Sequence, residues 1–206
     1  MAVPFTFQAA VEGILDEAVL RRSAVHLGME VGKVYGQQGK VHLESSIGGY
    51  NAAAQRWPWT VLVDLDESHA CPAGLRSEWL PNEARFMCLR VAVRQVESWV
   101  LADTKNTATL LGVRRGLLPT DPDSESDAKR TLVELAEMSS RENIRDALVP
   151  PEGAKRKIGP LYNATLSAFV ASRWNPDEAA SRSESFRRFL GALDALQGRW
   201  MAADAI

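Results

Sequence analysis

Carboxylates occur in this sequence where strand-like segments stop. Glu12-Gly13 follows the apolar run Phe5 to Val11, and Asp64-Leu65-Asp66 ends the run Trp59 to Leu65. Alternate residues of a strand point to the same side, so Asp64 and Asp66 can converge. If the two strands are neighbours in a parallel sheet, Glu12 sits beside that pair. Three carboxylates at one place repel one another unless a cation neutralises them. Mg²⁺ suits the role, because it takes oxygen ligands and keeps waters that substrate phosphates can replace. Glu97 begins a helical segment after a further strand and is a fourth candidate. Asp16 lies one turn after Glu12 and can point back to the same edge. Asp103, six residues after Glu97, is turned nearly to the opposite face of its helix. Asp-x-Asp alone is common where a strand runs into a turn. Its combination with Glu-Gly at the end of the first strand is what points to a metal.

These acids need a sheet to bring them together. Phe5 to Val11, Glu30 to Tyr35, Trp59 to Leu65 and Phe86 to Val93 read as strands, the third being the strongest and most β-branched. Ile14 to Leu27 reads as a helix, with acids early, bases later and Gly28 at its C-terminal end. Gly36 to Gly49 reads as a polar loop, with Gly48-Gly49 as a turn. Tyr50 to Arg56 is read as two turns of helix, stopped by Pro58. A loop containing Pro72, Gly74 and Pro81 precedes the fourth strand, and one helix spans Val96 to Leu111. The order β-α-β-α-β-β-α predicts an α/β fold with a mainly parallel sheet, whose ligand residues collect at the carboxyl ends of strands. Beyond about residue 113 the composition changes. An acidic, turn-rich stretch, Thr120 to Asp127, leads to helices near 128–138, 140–147, 160–172 and 182–198. The division expected is an α/β core, residues 1–113, and a helical appendage packed on it, residues 114–206.

Composition excludes several classes. The chain has 206 residues, 24 Lys+Arg against 26 Asp+Glu, and 46% hydrophobic residues. That length suffices for a core without disulfides or structural metal. A net charge of −2 is not that of a polycation holding nucleic acid by bulk charge, although a local basic groove is compatible with it. No apolar run approaches the roughly 20 residues of a membrane span. No signal peptide is recognised, and Cys71 and Cys88 lack metal-type spacing, so a cytoplasmic protein with reduced thiols is expected. His26, His42 and His69 are scattered. Trp59, Trp79, Trp99, Trp174 and Trp200 fall in or beside apolar segments and read as core.

Val11-Glu12-Gly13 with Asp16, and Val63-Asp64-Leu65-Asp66, resemble the two acidic motifs of the TOPRIM family, the catalytic module of topoisomerases, primases and several nucleases. Arg90 to Asp103 is similar to a segment of small TOPRIM-like proteins related to those encoded beside ATPases in phage-defence loci. Gly48 to Asn51 matches their Gly-Gly-Tyr/Phe-Asn, and Gly159 to Tyr162 their late Gly-Pro-x-Tyr. The resemblance covers about residues 8–103 closely and the rest loosely. It implies a TOPRIM-like sheet flanked by helices. It also implies a Mg²⁺- or Mn²⁺-dependent nuclease acting on DNA or RNA, as a defence or toxin-like effector. Topoisomerases carry the module in a much larger enzyme with a separate nucleophilic tyrosine, and Tyr35, Tyr50 and Tyr162 lack such a context. In the nuclease reading Glu12 is a ligand or general base, Asp64 and Asp66 are ligands, and Glu97 is a ligand for a second ion. Arg90 and Arg94, with the run Lys155-Arg156-Lys157, are candidate phosphate contacts.

Two other functions are compatible with these residues. Asp-x-Asp also holds Mn²⁺ or Mg²⁺ with a sugar nucleotide in glycosyltransferases, against which stand the early Glu-Gly and the lack of a nucleotide loop. The chain could instead be a non-catalytic subunit docking an ATPase partner. Its amphipathic helical half also offers a surface for a homodimer.

Overall fold

A computed structural model describes residues 4–65, 69 and 71–204. Four strands form one sheet: β1 (Thr6–Val11), β2 (Glu30–Gly36), β3 (Trp59–Asp64) and β4 (Met87–Ala92). Their order is β2-β1-β3-β4 and every pairing is parallel. Parallel neighbours need a crossover, and helices supply each one. These are α1 (Ile14–His26), α2 (Lys40–Ala53) and α3 (Pro72–Trp79). The order is therefore strictly alternating, and the expected direct succession of the third and fourth strands is corrected by α3.

Strand periodicity divides the core into two layers. Phe7, Ala9 and Val11 of β1 and Leu62 of β3 face one buried cluster, whereas Ala10, Val61 and Val63 face the other. α2 and α3 cover the second face through Leu43, Ile47, Leu75 and Trp79. The first face is covered by α1, by α4 (Val96–Ala102) and α5 (Thr104–Leu111), and by the later helices α6 (Ala128–Glu137), α7 (Glu142–Leu148), α8 (Tyr162–Ser172), α9 (Pro176–Arg182) and α10 (Glu184–Asp204). Leu132, Leu166, Trp174, Phe186 and Phe189 share one buried cluster with Phe7, Val11 and Trp99. β3, covered on both faces, is buried from Trp59 to Val63, as its unbroken apolar sequence requires. No described helix is long and apolar enough to cross a membrane.

Several local expectations are corrected. The loop read at Gly36 to Gly49 is mostly α2, which also absorbs the first half of the two-turn helix read from Tyr50. Gly48-Gly49 is mid-helix rather than a turn, and a Cβ at either residue would meet open space. Tyr50 stacks on Trp59 with ring centres 5.2 Å apart. Asn51 donates to the Asn82 carbonyl at 2.9 Å and accepts from the Ala84 amide at 2.8 Å. The Gly-Gly-Tyr-Asn segment thus pins the approach to β4. The single helix read over Val96 to Leu111 is two, because Asp103 accepts from the Asn106 amide at 3.2 Å and starts α5 anew. α9 falls in the gap left between the expected helices at 160–172 and 182–198, and α10 continues to Asp204.

The end of β2 bends over the end of β1. Gly36 has φ +87°, and the Gln37 and Gly39 amides donate to the Val11 and Glu12 carbonyls at 2.8 and 3.2 Å. A Cβ on Gly36 would stand 2.3 Å from the Val11 carbonyl oxygen, which forces backbone to move. Gly36→Ala is therefore expected to cost about 2–4 kcal/mol, combining left-handed strain with the clash. Urea unfolding checks this. Wild-type stability in the variant would show that the loop does not fix the Glu12 backbone.

Candidate metal centre

The carboxyl ends of β1, β3 and β4 meet at one edge of the sheet. β1 and β3 are neighbours with Val11 opposite Leu62, so the residues that follow Val11 and Val63 lie side by side. Glu12 crosses that gap: its Oε1 accepts the Asp64 amide at 2.7 Å. Asp64 is opposite Ala92 of β4, and its Oδ1 accepts the Val96 amide at 3.0 Å, which ties the start of α4 to the end of β3. One residue on, Glu97 is buried at 2% exposure. Asp16, in the first turn of α1, is also buried. Gly13 lets it fold back, since a Cβ there would be 3.2 Å from Asp16 Oδ2. Asp66 lies outside the described residues.

The helical half of the chain completes this edge. Lys129, in the first turn of α6, places Nζ 3.4 Å from Glu97 Oε1 and donates its amide to Gln95 Oε1 at 3.0 Å. Tyr162, at the start of α8, donates its hydroxyl to Glu97 Oε1 at 3.3 Å. The Gly159-Pro160 bend makes that reach feasible. A Cβ on Gly159 would stand 2.3 Å from the Ala147 carbonyl oxygen, so only glycine lets the loop settle on the end of α7. From the second face of the sheet, Lys40 donates to the Asp64 carbonyl at 3.0 Å.

The electrostatics follow from this crowding. Loss of water is the largest influence on Asp16 and Asp64, followed by the neighbouring carboxylates. Asp16 is pushed up to about 8 by burial and by Glu97 and Glu12, against the opposing pull of Lys129. Asp64 is raised well above the ordinary carboxylate range by burial, then Asp16, Glu97 and Glu12. Burial works to lower Lys129, but Glu97 and Asp64 outweigh it and hold the ammonium more firmly charged. Tyr162 is held protonated by burial and by Glu97.

The donor set fits a divalent cation. Asp16 Oδ1 and Glu97 Oε2 are buried acceptors with no hydrogen-bond donor among the described residues. Such atoms cost free energy unless something positive meets them. Hard oxygen ligands without thiol or imidazole suit Mg²⁺ or Mn²⁺. No three acidic, thiol or imidazole groups among the described residues are already closed around one point. Mutual repulsion of bare carboxylates opposes such closure.

The remaining candidates are placed elsewhere. Arg90 lies within β4 and donates to the Arg188 carbonyl at 2.9 Å, facing α10 rather than the carboxylates. Arg94 is half-buried in the turn between β4 and α4. Lys155, Arg156 and Lys157 are exposed in the loop between α7 and α8. Lys157 lines a cavity of about 510 Å³ that also contains Lys129. Asp103 is fully buried and structural, accepting the Asn175 amide at 2.8 Å. Lys129 and Gln95 were not singled out by the sequence, because nothing local marks a lysine near position 130 as the partner of a glutamate at 97. The Gly-Pro-x-Tyr segment was the one available signal for Tyr162. Comparison with family models, curated proteins and solved structures gives no significant match.

Proposed function

We propose that the chain is a divalent-cation-dependent phosphodiesterase that hydrolyses DNA or RNA, in the manner of TOPRIM-like nucleases. The observation that carries the reading is the gathering of Glu12, Asp16, Asp64 and Glu97 at one sheet edge, with orphaned oxygens on Asp16 and Glu97. Asp16 Oδ1, Glu97 Oε2 and the Asp64 carboxylate would hold Mg²⁺ or Mn²⁺, with Asp66 adjoining in sequence. When bound, the ion supplies charge for the scissile phosphate and lowers the pKa of an attacking water.

The chain's own groups do the rest. Glu12 is oriented by the Asp64 amide, so its carboxylate can receive a proton from water at a fixed place. Tyr162 and Lys129 hold Glu97 Oε1, which orients Oε2 away from them. Lys129, 41% exposed at the rim, also puts a permanent positive charge where a phosphate would enter. A role as a defence effector working with an ATPase partner is compatible with this chemistry and is proposed on the sequence resemblance alone.

Calorimetric titration with Mn²⁺ tests the site without needing the right substrate. Wild type is expected to bind, and Glu12→Gln/Glu97→Gln to bind at least tenfold more weakly. Plasmid, single-stranded DNA and RNA are then assayed for cleavage with Mn²⁺. Equal metal binding by both proteins would overturn the assignment.

A further inference from the structure

The edge of β4 carries a second charged cluster, built on three arginines and the acids beside them. α3 flanks this edge from one face of the sheet and α10 from the other, and between them lies a cavity of about 370 Å³. Arg76 of α3, Arg90 of β4 and Arg188 of α10 all line it. Arg90 is drawn below its ordinary value first by burial, with Arg76 and Arg188 adding to the effect and Cys88 and Glu83 opposing it.

The acids nearby compensate two of the three guanidinium groups, and two of those acids, Asp123 and Glu184, line the same cavity. Glu83 takes Arg76 Nη2 at 2.8 Å but also holds the Leu89 amide at 3.0 Å. Glu184 takes Arg188 Nε at 2.7 Å. Asp123 is turned to the Ser183 hydroxyl and the Ser185 amide, at 2.6 and 2.9 Å. Arg90 pairs with no carboxylate among the described residues and gives Nη2 to a backbone carbonyl. Arg76 Nε is buried with no acceptor among the described residues. A half-buried guanidinium without a carboxylate, in a cavity that two further guanidinium groups line, is a place where an oxyanion can bind.

We propose that this cavity binds a backbone phosphate of the substrate strand, so that nucleic acid runs along the β4 edge to the carboxylates. Position supports a strand over a free anion. The cavity also includes Val93, beside Arg94 at the carboxyl end of β4. Arg90 is two residues before Ala92, the partner of Asp64, which puts its Cα about 8 Å from that of Asp64 by strand rise and spacing. A phosphate held here lies within a few nucleotides of the acidic centre. The nature of the strand rests on the phosphodiesterase reading, whereas the anion site does not.

The test uses a fluorescent single-stranded oligonucleotide of about 12 nucleotides, with EDTA present so that no metal contributes. Arg76→Gln/Arg90→Gln is expected to weaken binding at least tenfold and to reduce the slope of log affinity against log salt by about 1.4. Arg90→Lys with Arg76 intact controls for folding and should keep most of the affinity. Lys105→Gln, on the exposed surface of α5, should bind within twofold of wild type. Equal binding by the double variant and wild type would overturn the proposal, as would an equal loss in Lys105→Gln. Inorganic phosphate provides the second arm. If it raises the melting temperature of wild type but not of the double variant, while the oligonucleotide binds both alike, the site takes free phosphate and the strand path is wrong. Because nothing is cleaved in EDTA, failure here is separate from failure of the nuclease reading, which the metal and cleavage assays decide.

Discussion

Asp64→Asn is expected to lower divalent-dependent cleavage about a thousandfold and, in the same protein, to raise the stability of the metal-free chain. The substitution is nearly isosteric, and an asparagine can still accept the Val96 amide through Oδ1, the bond that fixes the start of α4. What it removes is charge. If Asp64 holds the ion as proposed, losing it is worth on the order of 4 kcal/mol, or about 10³-fold in kcat/KM. The gain in stability comes from the same place, since Asp64 sits against Asp16, Glu97 and Glu12 with little water to screen it. Removing one member of a mutually repelling group should be worth about 1–2 kcal/mol near neutral pH. The gain should grow as pH rises, because burial and the neighbouring carboxylates make ionisation of the wild-type Asp64 costly in the fold. Cleavage rates with Mn²⁺ and urea unfolding with EDTA measure the two halves. Wild-type turnover in the variant would remove Asp64 from the chemistry.

The second large effect is a reversed dependence of stability on pH. A carboxyl whose folded pKa is raised binds its proton more tightly in the native state than in the unfolded one. Stability then falls as pH rises, across the window between the two values. For Asp16 that window runs from the ordinary 3.8 to about 8, and Asp64 adds to it in the same direction. Asp16 alone represents several kcal/mol across the full window. For a chain of this size the melting temperature should fall by roughly 10 °C between pH 5 and pH 8.5 with EDTA present. Excess Mn²⁺ should cancel the fall if the proposed site binds it, because a metal takes carboxylates deprotonated and gains affinity as pH rises. Asp16→Asn should flatten the metal-free profile. A metal-free melting temperature that is level or rising over that range would show that the carboxylates are not crowded as described.

How much of this could be read from the residues depends on how local each signal is. Glu12 and Asp64 were legible because strands must end somewhere, and acids at the ends of two strong strands converge as soon as those strands pair in parallel. α2 was not legible, because Ser45, Ser46, Gly48 and Gly49 give Lys40–Ala53 poor intrinsic helicity. Its helix rests on Leu43 and Ile47 packing against the sheet, which is tertiary information. α3 was hidden by the opposite error. Pro72 reads as a breaker in a loop but stands in the first turn of the helix, where its missing N–H costs nothing. Pro176 does the same for α9, with Asn175 as its cap. Arg90 reads as a phosphate contact by position alone, and only the strand's alternation shows that its side chain lies on the α10 side. Lys129 reaches Glu97 across 31 intervening positions, a separation that no periodicity encodes.

The hold of Lys129 and Tyr162 on Glu97 bears on any attempt to miniaturise the protein. A fragment ending near residue 113 would keep Glu12, Asp16, Asp64 and Glu97 but discard both donors that steady the last of them. It would also uncover Trp99, which stacks on Phe189 and packs against Phe186. The acidic edge is thus not a portable cassette: a transplant must carry the start of α6 and the Gly159 bend along with the strands.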